Sequence, residues 1–527
     1  MGCIRLVIVD PVIIVGAGPV GLTLSLALAH SGVSTLVLDG ETSSPATPSP
    51  ARPARTAVLR APTVAFLERL GCVVPGVPLT AWRAIRGKRV LREESYDGEQ
   101  PPRHVAQQAL VDELRHAVAA CDLVTVVPGV RVDALEMERD AVSVHTRGKA
   151  SASGSGAGAG AGSGSADDKG TWWRGSYVVG CDGARSVVRK LLDIRFAGRT
   201  AVERHAVAAI RTRLPWRSET VVSGVPSEVC ARPLADGVWR FDWLLPSEAG
   251  LVTPQDVVRR VESTLTDWWH ADAEALWYDL LDSGVHTVHH RLAQTFRRGR
   301  GLLAGDAAHL LGALGTQQLD EGLQDAENLA WKLAAAVHSG APGALLDSYE
   351  AERRGVIRRR LRAADQALPL VRRRTGEWRR GQAVTLLADG HLGRGAVGGA
   401  AVYAAAPPVP SLTVGTALGA PVSDVAVTAP DGTATSLHAS LGRSVVLLFV
   451  APGTRVWDHR IWLKAGLMPA LLRTVEELPV RASLVVAEEY PGAPAHAVLV
   501  IRPDGRLVAA VAGVDAAALR ACVEPLG

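Results

Sequence analysis

The stretch PVIIVGAGPVGLTLSLALAHSGVSTLVLDG, from Pro11 to Gly40, decides the fold of this chain. A run rich in β-branched residues comes first, a glycine-rich turn follows, apolar residues then recur at helical spacing, and a second apolar run ends the stretch. This pattern predicts a strand, a tight turn, a helix and a second strand. Together they form one βαβ unit, the building block of a parallel sheet.

Three glycines, Gly16, Gly18 and Gly21, form G-x-G-x-x-G directly after the predicted strand. The first permits a tight turn, the second lets a pyrophosphate approach the backbone, and the third allows the helix to pack closely. The phosphate would lie at the positive N-terminus of the helix, and Asp39, which ends the second strand, would accept hydrogen bonds from a ribose. We therefore predict a dinucleotide site. The alternative is a glycine turn that serves packing alone.

Composition indicates an ordinary globular protein of two or three domains. The chain has 527 residues, and its 57 Lys and Arg against 53 Asp and Glu give a formal charge of +4, too small to indicate nucleic acid as a partner. Its six cysteines show no C-x-x-C and no zinc spacing with His, so we expect no metal site and a reduced, cytoplasmic location. Arg5 and Asp10 interrupt the apolar N-terminus, unlike a signal peptide. No stretch offers the roughly 20 apolar residues of a membrane span, so we expect a soluble protein without a membrane partner.

Further along the chain, composition marks a loop, a long helix and a separate tail. Ser151 to Ser165 contains only Ser, Ala and Gly, which predicts a flexible loop within a domain. Apolar residues from Leu323 to Val337 recur at helical spacing, and the arginine-rich stretch after them is interleaved with acidic residues, as is typical of a solvated helix face. The cluster AAAPPVPS, from Ala404 to Ser411, predicts a linker before a small α/β unit.

Two further segments resemble a known family. The sequences YVVGCDGARSVVRK, from Tyr177 to Lys190, and GRGLLAGDAAHLLGALGTQQLDEGLQDAENLAWKLA, from Gly299 to Ala334, are similar to the second and third signatures of the flavoprotein hydroxylases related to p-hydroxybenzoate hydroxylase. The resemblance covers nearly the whole chain, and the motifs stand in the family's order and spacing. It implies that the dinucleotide is FAD.

The resemblance assigns cofactor roles to four residues. Asp182, in the DG motif, would lie where the chain approaches both flavin and nicotinamide nucleotide, and Asp306, in the GD motif, would bond the FAD ribitol. Arg55 matches an arginine beside the flavin, and Gln107 matches a glutamine that binds the cofactor backbone. Taken singly, the two aspartates could be turn residues, Arg55 a surface charge and Gln107 a helix cap.

The resemblance implies an α/β fold of three parts, a Rossmann-like FAD-binding domain of the p-hydroxybenzoate hydroxylase type, an interleaved β-sheet substrate domain, and a thioredoxin-like C-terminal α/β domain. The expected FAD-binding domain comprises residues 1–78, 101–190 and 290–403, with a flexible loop at 151–170; the substrate domain comprises 79–100 and 191–289; a linker at 404–411 precedes the tail at 412–527. The tail has one cysteine, Cys522, and no C-x-x-C, so we expect packing or assembly there and no dithiol chemistry.

The segment GVWRFDWLLPSEAG, from Gly237 to Gly250, and the tail are most similar to the branch with 3-(3-hydroxyphenyl)propionate hydroxylases and polyketide-tailoring oxygenases. In this segment Trp239, Phe241 and Trp243 alternate along a predicted strand. They form either one aromatic face in the core or the wall of a substrate pocket. Both interpretations stay open.

After GDAAH the chain departs from the family, which usually has a proline pair, G-G-x-G and Asn before the long helix. Here the flavin loop runs from Gly315 through Leu319 to Asp320, and the resemblance places these three residues at the cofactor. Either Asp320 faces the flavin and lowers its potential, or it caps the helix from Gly322 onward.

The family's chemistry implies that NAD(P)H, as NADPH or NADH, reduces FAD, that O2 adds to flavin C4a, and that the hydroperoxide hydroxylates a phenolic or polycyclic aromatic substrate of the polyketide or antibiotic type. Baeyer-Villiger oxidation, oxidative rearrangement and flavin binding without oxygenation are alternatives. No side chain is singled out as acid or base; His104, His309 and Tyr278 are candidates. A homodimer stays open.

Overall fold

The computed structural model describes residues 10–41, 54–87, 89–96, 101–148, 170–223, 229–245, 250–269, 277–311, 316–372, 401–403, 407–454 and 459–527. Residues 151–169 of the predicted loop, Gly315, and residues 404–406 of the predicted linker lie outside these ranges. The chain divides into two compact units, unit 1 from residues 1–26, 34–326 and 357–398, and unit 2 from residues 27–33, 327–356 and 399–527. The domain boundaries expected from the sequence stay a prediction.

The strands of unit 1, in chain order, are β1 (Val12–Val15), β2 (Thr35–Leu38), β3 (Thr56–Leu59), β4 (Val77–Pro78), β5 (Ala81–Arg86), β6 (Arg89–Ser95), β7 (Arg103–Ala106), β8 (Val124–Val127), β9 (Arg131–Met137), β10 (Val142–Arg147), β11 (Thr171–Gly175), β12 (Tyr177–Gly180), β13 (Phe196–Thr212), β14 (Glu219–Ser223), β15 (Val229–Pro233), β16 (Val238–Leu245), β17 (Tyr278–Ala293), β18 (Arg297–Arg298), β19 (Gly301–Leu303) and β20 (His309–Leu311). Those of unit 2 are β21 (Ala426–Thr428), β22 (Ala434–Ser436), β23 (Val445–Val450), β24 (Ala482–Ala487), β25 (Ala497–Ile501) and β26 (Leu507–Ala512). The α-helices are α1 (Pro19–His30), α2 (Ala61–Arg69), α3 (Gln107–Ala119), α4 (Val187–Leu191), α5 (Pro254–Trp269), α6 (Thr316–Ser339), α7 (Gly343–Arg372), α8 (His459–Trp462), α9 (Met468–Glu476) and α10 (Ala516–Val523).

The βαβ unit predicted from Pro11 to Gly40 is confirmed as β1, α1 and β2. Both strands are buried along their whole length, as is usual for a parallel sheet covered on both faces. In unit 1 they belong to a sheet with the order β18-β19-β12-β1-β2-β8, in which β1 pairs in parallel with β2 and β12. This order brings the glycine turn after β1 next to the DG motif after β12.

A larger sheet of unit 1 has the order β20-β17-β13-β16-β15-β14-β5-β6 among the described strands. Its long strands β13, β16 and β17 pair antiparallel, and α5 covers one of its faces. The three aromatic residues of β16, Trp239, Phe241 and Trp243, are at most 3% exposed and pack with the apolar residues of α5. The Phe241 and Trp243 rings stack at 5.6 Å, and Trp243 Nε1 donates to Thr264 Oγ1 at 3.0 Å.

Unit 2 holds the sheet β22-β21-β24-β23-β25-β26, in which β23 and β24 are parallel. A buried ionic cluster also belongs to this unit, where Glu352 accepts from Lys332 Nζ at 2.9 Å and from Arg502 at 2.6 and 2.9 Å. Burial lowers the pKa of Lys332 to about 8 although Glu352 opposes the shift. The thioredoxin-like character of the tail stays a prediction.

In the described parts of the chain no helix is long and apolar enough to cross a membrane. The long helix predicted from Leu323 is confirmed as part of α6, but α6 begins earlier, at Thr316. The strands that flank the Ser, Ala and Gly tract, β10 and β11, pair antiparallel within unit 1.

Replacing Phe241 by Ala tests whether the β16 aromatics belong to the core. Loss of this fully buried ring should lower the free energy of unfolding by about 3–5 kcal/mol, because the cavity left behind adds to the lost burial. Chemical denaturation measures the change, and Leu251→Ala, at a side chain that is 94% exposed, is the control that should leave stability unchanged. A stable Phe241→Ala protein with altered substrate affinity would instead support a pocket wall.

Candidate cofactor and substrate site

The glycine turn after β1 is closed against two other segments. A Cβ atom on Gly16, which has φ of 107°, would lie 2.5 Å from the carbonyl oxygen of Cys181, and one on Gly21 would lie 2.0 Å from the carbonyl oxygen of Gly16. At Gly18 a Cβ would meet no described atom within 4 Å. Packing therefore requires glycine at the first and third positions, whereas Gly18 borders open space of the kind that a pyrophosphate needs.

Asp39 is fixed at the edge of this turn. Its carboxylate accepts hydrogen bonds from the backbone N–H groups of Ala17 and of Glu41, the latter at 2.7 Å. Each carboxylate oxygen keeps a further lone pair for another donor. The predicted bond to a ribose stays a prediction, and the observed bonds tie the end of β2 to the start of α1.

A cavity of about 630 Å³ opens beside the turn and is lined by residues of unit 1. The structure brings five of the predicted cofactor residues to it, namely Gly18, Arg55, Gln107, Asp306 and Leu319. The other predicted residues that are described do not line it: Gly16, Gly21, Asp39, Asp182, Trp239, Phe241, Trp243 and Asp320. One wall of the cavity is formed by loops and helix starts that carry the predicted cofactor residues, and the other wall is formed by the large sheet.

Asp306 is held by Gln318, a residue that sequence reasoning did not single out. Gln318 Nε2 donates to Asp306 Oδ1 at 2.6 Å and to the carbonyl oxygen of His309 at 2.8 Å, while its Oε1 accepts from Leu311 N at 2.6 Å. Burial raises the pKa of Asp306, and the bond from Gln318 opposes the shift. Gln318 belongs to the altered loop after GDAAH, so the departure from the family pattern was the available signal.

Asp182 has one oxygen without a described partner. Its Oδ2 accepts from the backbone N–H groups of Val187 at 2.6 Å and Val188 at 3.1 Å, at the start of the short helix α4. Its Oδ1 is buried and has no hydrogen bond to any described residue. A buried polar atom left in this state indicates a missing partner, which fits a bound nucleotide.

The aromatic residues of β16 do not line the cavity, so a substrate-pocket wall made by them has no support among the described residues. Because side chains alternate along a strand, the opposite face of β16 presents Arg240 and Asp242. Both line the cavity. Arg240 donates to Asp242 at 3.0 and 2.7 Å. Burial raises the pKa of Asp242, but the charge and bonds of Arg240 outweigh burial and lower it overall.

The three candidate acid or base residues are each engaged with other residues of the protein. His104 is buried between the carbonyl oxygen of Pro233 and Thr56 Oγ1, each at 2.8 Å, and burial lowers its pKa to about 3. His309 contacts Asp325 at 2.7 Å with both side chains fully buried. Tyr278 donates to Glu262 at 3.3 Å. None of the three is among the residues that line the cavity.

Asp320 lies in the second turn of α6, so the alternative in which it caps the start of the helix is wrong. Its carboxylate accepts from Arg60 N at 2.9 Å and from Arg60 Nε at 2.5 Å, and the Arg60 guanidinium also pairs with Glu321. Arg360 forms a second ion pair with Glu321 at 2.9 Å. The Asp320 carboxylate therefore serves a buried ion-pair network between the start of α2 and α6.

Comparison with known proteins identifies the family. A family model described as an FAD binding domain matches residues 10–364, and the chain therefore belongs to this family of FAD-binding proteins. The 3-(3-hydroxy-phenyl)propionate/3-hydroxycinnamic acid hydroxylase of Mycolicibacterium smegmatis is 32% identical over 353 residues. These residues are 65% of this chain and 58% of that hydroxylase, so the match spans little more than half of the relative.

Solved structures confirm the expected α/β fold of the p-hydroxybenzoate hydroxylase type, and the thioredoxin-like tail stays a prediction. The flavin-dependent monooxygenase PieE, crystallised with FAD and substrate, superposes with a TM-score of 0.71 at 19% identity, covering 98% of this chain and 99% of PieE. The anhydrotetracycline hydroxylase OxyS from Streptomyces rimosus superposes with a TM-score of 0.61 at 27% identity, covering 97% and 98% of the two chains. The open space at Gly18 and the unpartnered oxygen of Asp182 fit FAD as the cofactor.

Replacing Gly18 by Val should yield a folded protein without flavin. The new side chain meets no protein atom but occupies the space of the pyrophosphate. Absorbance after denaturation measures the flavin content, and circular dichroism compared with deflavinated wild type measures the fold. Gly250→Val, also in open space, is the matched control that should keep its flavin. Full flavin occupancy in Gly18→Val would contradict the assignment.

Replacing Asp320 by Asn should destabilise the protein while leaving flavin bound. The change removes one charged acceptor from the buried Arg60, a loss of about 2 kcal/mol. The midpoint of chemical denaturation measures it. Asp279→Asn, at an exposed ion pair with Arg211, is the control that should change little. Equal stability of Asp320→Asn and wild type would show that the network does not depend on the charge.

Proposed function

We propose that this chain is an FAD-dependent monooxygenase that uses NAD(P)H and O2 to hydroxylate a phenolic or polycyclic aromatic substrate, of the polyketide type. The observation that carries the proposal is the 630 Å³ cavity in which predicted cofactor residues form one wall and the large sheet forms the other. Its volume lies within the range of about 300–1,000 Å³ that is typical of small-molecule sites. The similarity of this chain to hydroxylases also supports hydroxylation as its reaction.

FAD, when bound, would accept electrons from NAD(P)H and activate O2. The chain's own residues would position the reactants. The backbone at Gly18 and the side chains of Gln107 and Asp306 would hold the cofactor, Arg55 would lie beside the flavin, and Asp182 would offer its free oxygen to a nucleotide. The sheet wall would orient the aromatic substrate and exclude water. A homodimer stays a prediction, which sedimentation of the purified protein tests.

An oxidation assay tests the proposal. The flavin-loaded protein should oxidise NADPH or NADH faster in the presence of its substrate, and the product should gain one oxygen atom by mass. Phenols, hydroxyphenylpropionates and polycyclic quinones form the panel, and we expect the polycyclic compounds to be preferred. Asp306→Ala, which should lose its flavin, is the control for flavin dependence.

Two outcomes would contradict this proposal. Absence of substrate-stimulated oxidation across the panel would support a flavin-binding protein without oxygenase activity. Preferred turnover of a single-ring acid would refute the polycyclic substrate class.

A further inference from the structure

The cavity face of the large sheet follows from the strand register. Across β13 and β16, Val207 pairs with Asp242, and across β13 and β17, His205 pairs with His286 and Val207 with Gly284. Residues that pair directly share a face of the sheet. One face therefore carries His205 and Val207 from β13, Asp242 from β16, and Gly284 and His286 from β17, and all of these except Gly284 are among the residues that line the cavity.

Three histidines line this wall, and their contacts distinguish them. His205 is buried, with only 3% of its surface exposed. His289 Nδ1 lies 3.1 Å from Thr200 Oγ1 and is engaged with it. His286 is exposed toward the cavity and has no hydrogen bond to a described residue. Of the three, His286 is the imidazole that is available to a ligand.

The wall leaves room beside His286. Gly284, two residues earlier on the same face of β17, would place a Cβ no closer than 3.9 Å to Val207. At this position β17 carries no side chain, and Val207 of β13 is the nearest neighbour on this face. Glycine in a strand interior is otherwise unfavourable, and close approach of a ligand is one reason for it.

The charges around His286 are mostly compensated. Arg240 is paired with Asp242, and Asp282 on β17 accepts a hydrogen bond from Ala54 N at 3.1 Å. Arg55, on the other side, is exposed and has no ion pair with a described residue. One guanidinium therefore remains to stabilise a negative charge on a ligand.

We propose that His286 receives the proton of an acidic phenolic or enolic hydroxyl of the substrate, with Arg55 stabilising the resulting anion. In this step the O–H bond of the substrate breaks, its electron pair stays on the oxygen, and an N–H bond forms on the imidazole. The anion is more electron-rich and is a better target for an electrophilic oxygen. The proposal rests on the proposed function for its purpose, but the proton transfer needs no oxidant.

The protonation state of His286 agrees with this role. Desolvation by the surrounding wall lowers the pKa of His286, and Arg240 lowers it further. The charge of Arg55 also lowers this pKa, whereas the charges of Asp242 and Asp282 raise it. The ring is therefore neutral at neutral pH and has a lone pair to accept the proton.

Titration of the flavin-loaded protein with p-nitrophenol tests the proposal, since the phenolate of this probe absorbs visible light and its neutral form does not. Difference spectra at a pH where the free probe is mostly neutral should show a saturable phenolate band with wild type. In His286→Gln the apparent pKa of the bound probe should rise by about one unit, a tenfold fall in the ratio of phenolate to neutral probe. His116→Gln, at an exposed histidine of α3, is the matched control and should keep the band.

A second variant guards against a general structural effect. His286→Ala should lose the band, and added imidazole should restore it at unchanged flavin content. Absence of a saturable band in wild type, or an undiminished band in His286→Gln, would overturn the proposal. Failure of the proposed function is seen separately, because a normal band without substrate-stimulated NAD(P)H oxidation would refute oxygenation and leave the proton transfer intact.

Discussion

A backbone contact between three segments fixes the candidate site. An ideal Cβ on Gly21 would lie 2.0 Å from Gly16 O, and one on Gly16 would lie 2.5 Å from Cys181 O, so no side chain fits where β1, α1 and the end of β12 meet. The backbone N–H of Ala17 donates a hydrogen bond to the Asp39 carboxylate, which connects the end of β2 to the same three segments. Because backbone atoms set these distances, the position of the open space at Gly18 depends little on side-chain rotamers. The other cavity residues are placed around this rigid junction.

Charge compensation shapes the rest of unit 1. Isolated buried charges are costly, and a buried ion pair is tolerated when its remaining hydrogen bonds are also satisfied. Asp242 is compensated by Arg240 and Arg232, and Asp320 is compensated by Arg60. Among the charged residues that line the cavity, Arg240 and Asp242 are paired with each other. The electrostatic character of the cavity therefore depends on the few groups that remain outside such pairs.

Local signals in the sequence predicted the βαβ unit and the long helix α6, whereas contacts between distant segments were not predictable. The βαβ unit was predictable because its glycines and apolar periodicity lie within one short stretch. The role of Asp320 was not, since its partner Arg60 lies 260 residues away and overrides the preference of Asp for helix starts. His286 gave no local signal either, because its place on the cavity face is set by the register of β17 with β13. The aromatic alternation of β16 indicated one face of that strand, and its opposite face could have been inferred from the same pattern.

The two faces of β16 have separate physical roles, and the register of β16 in the sheet determines which residues lie on each face. The ring of Phe241 lies 5.6 Å from the ring of Trp243 and 5.6 Å from that of Trp268 on α5, whereas Arg240 and Asp242 on the opposite face line the cavity. A slip by one residue would exchange the faces and bury Arg240 and Asp242 under α5, which the aromatic packing opposes strongly. The packing of the core therefore determines which face of β16 lies toward the cavity, although the core residues do not line the cavity. Substitutions on the cavity face can then alter ligand selection at little cost to the core, provided that they preserve the compensation of buried charge.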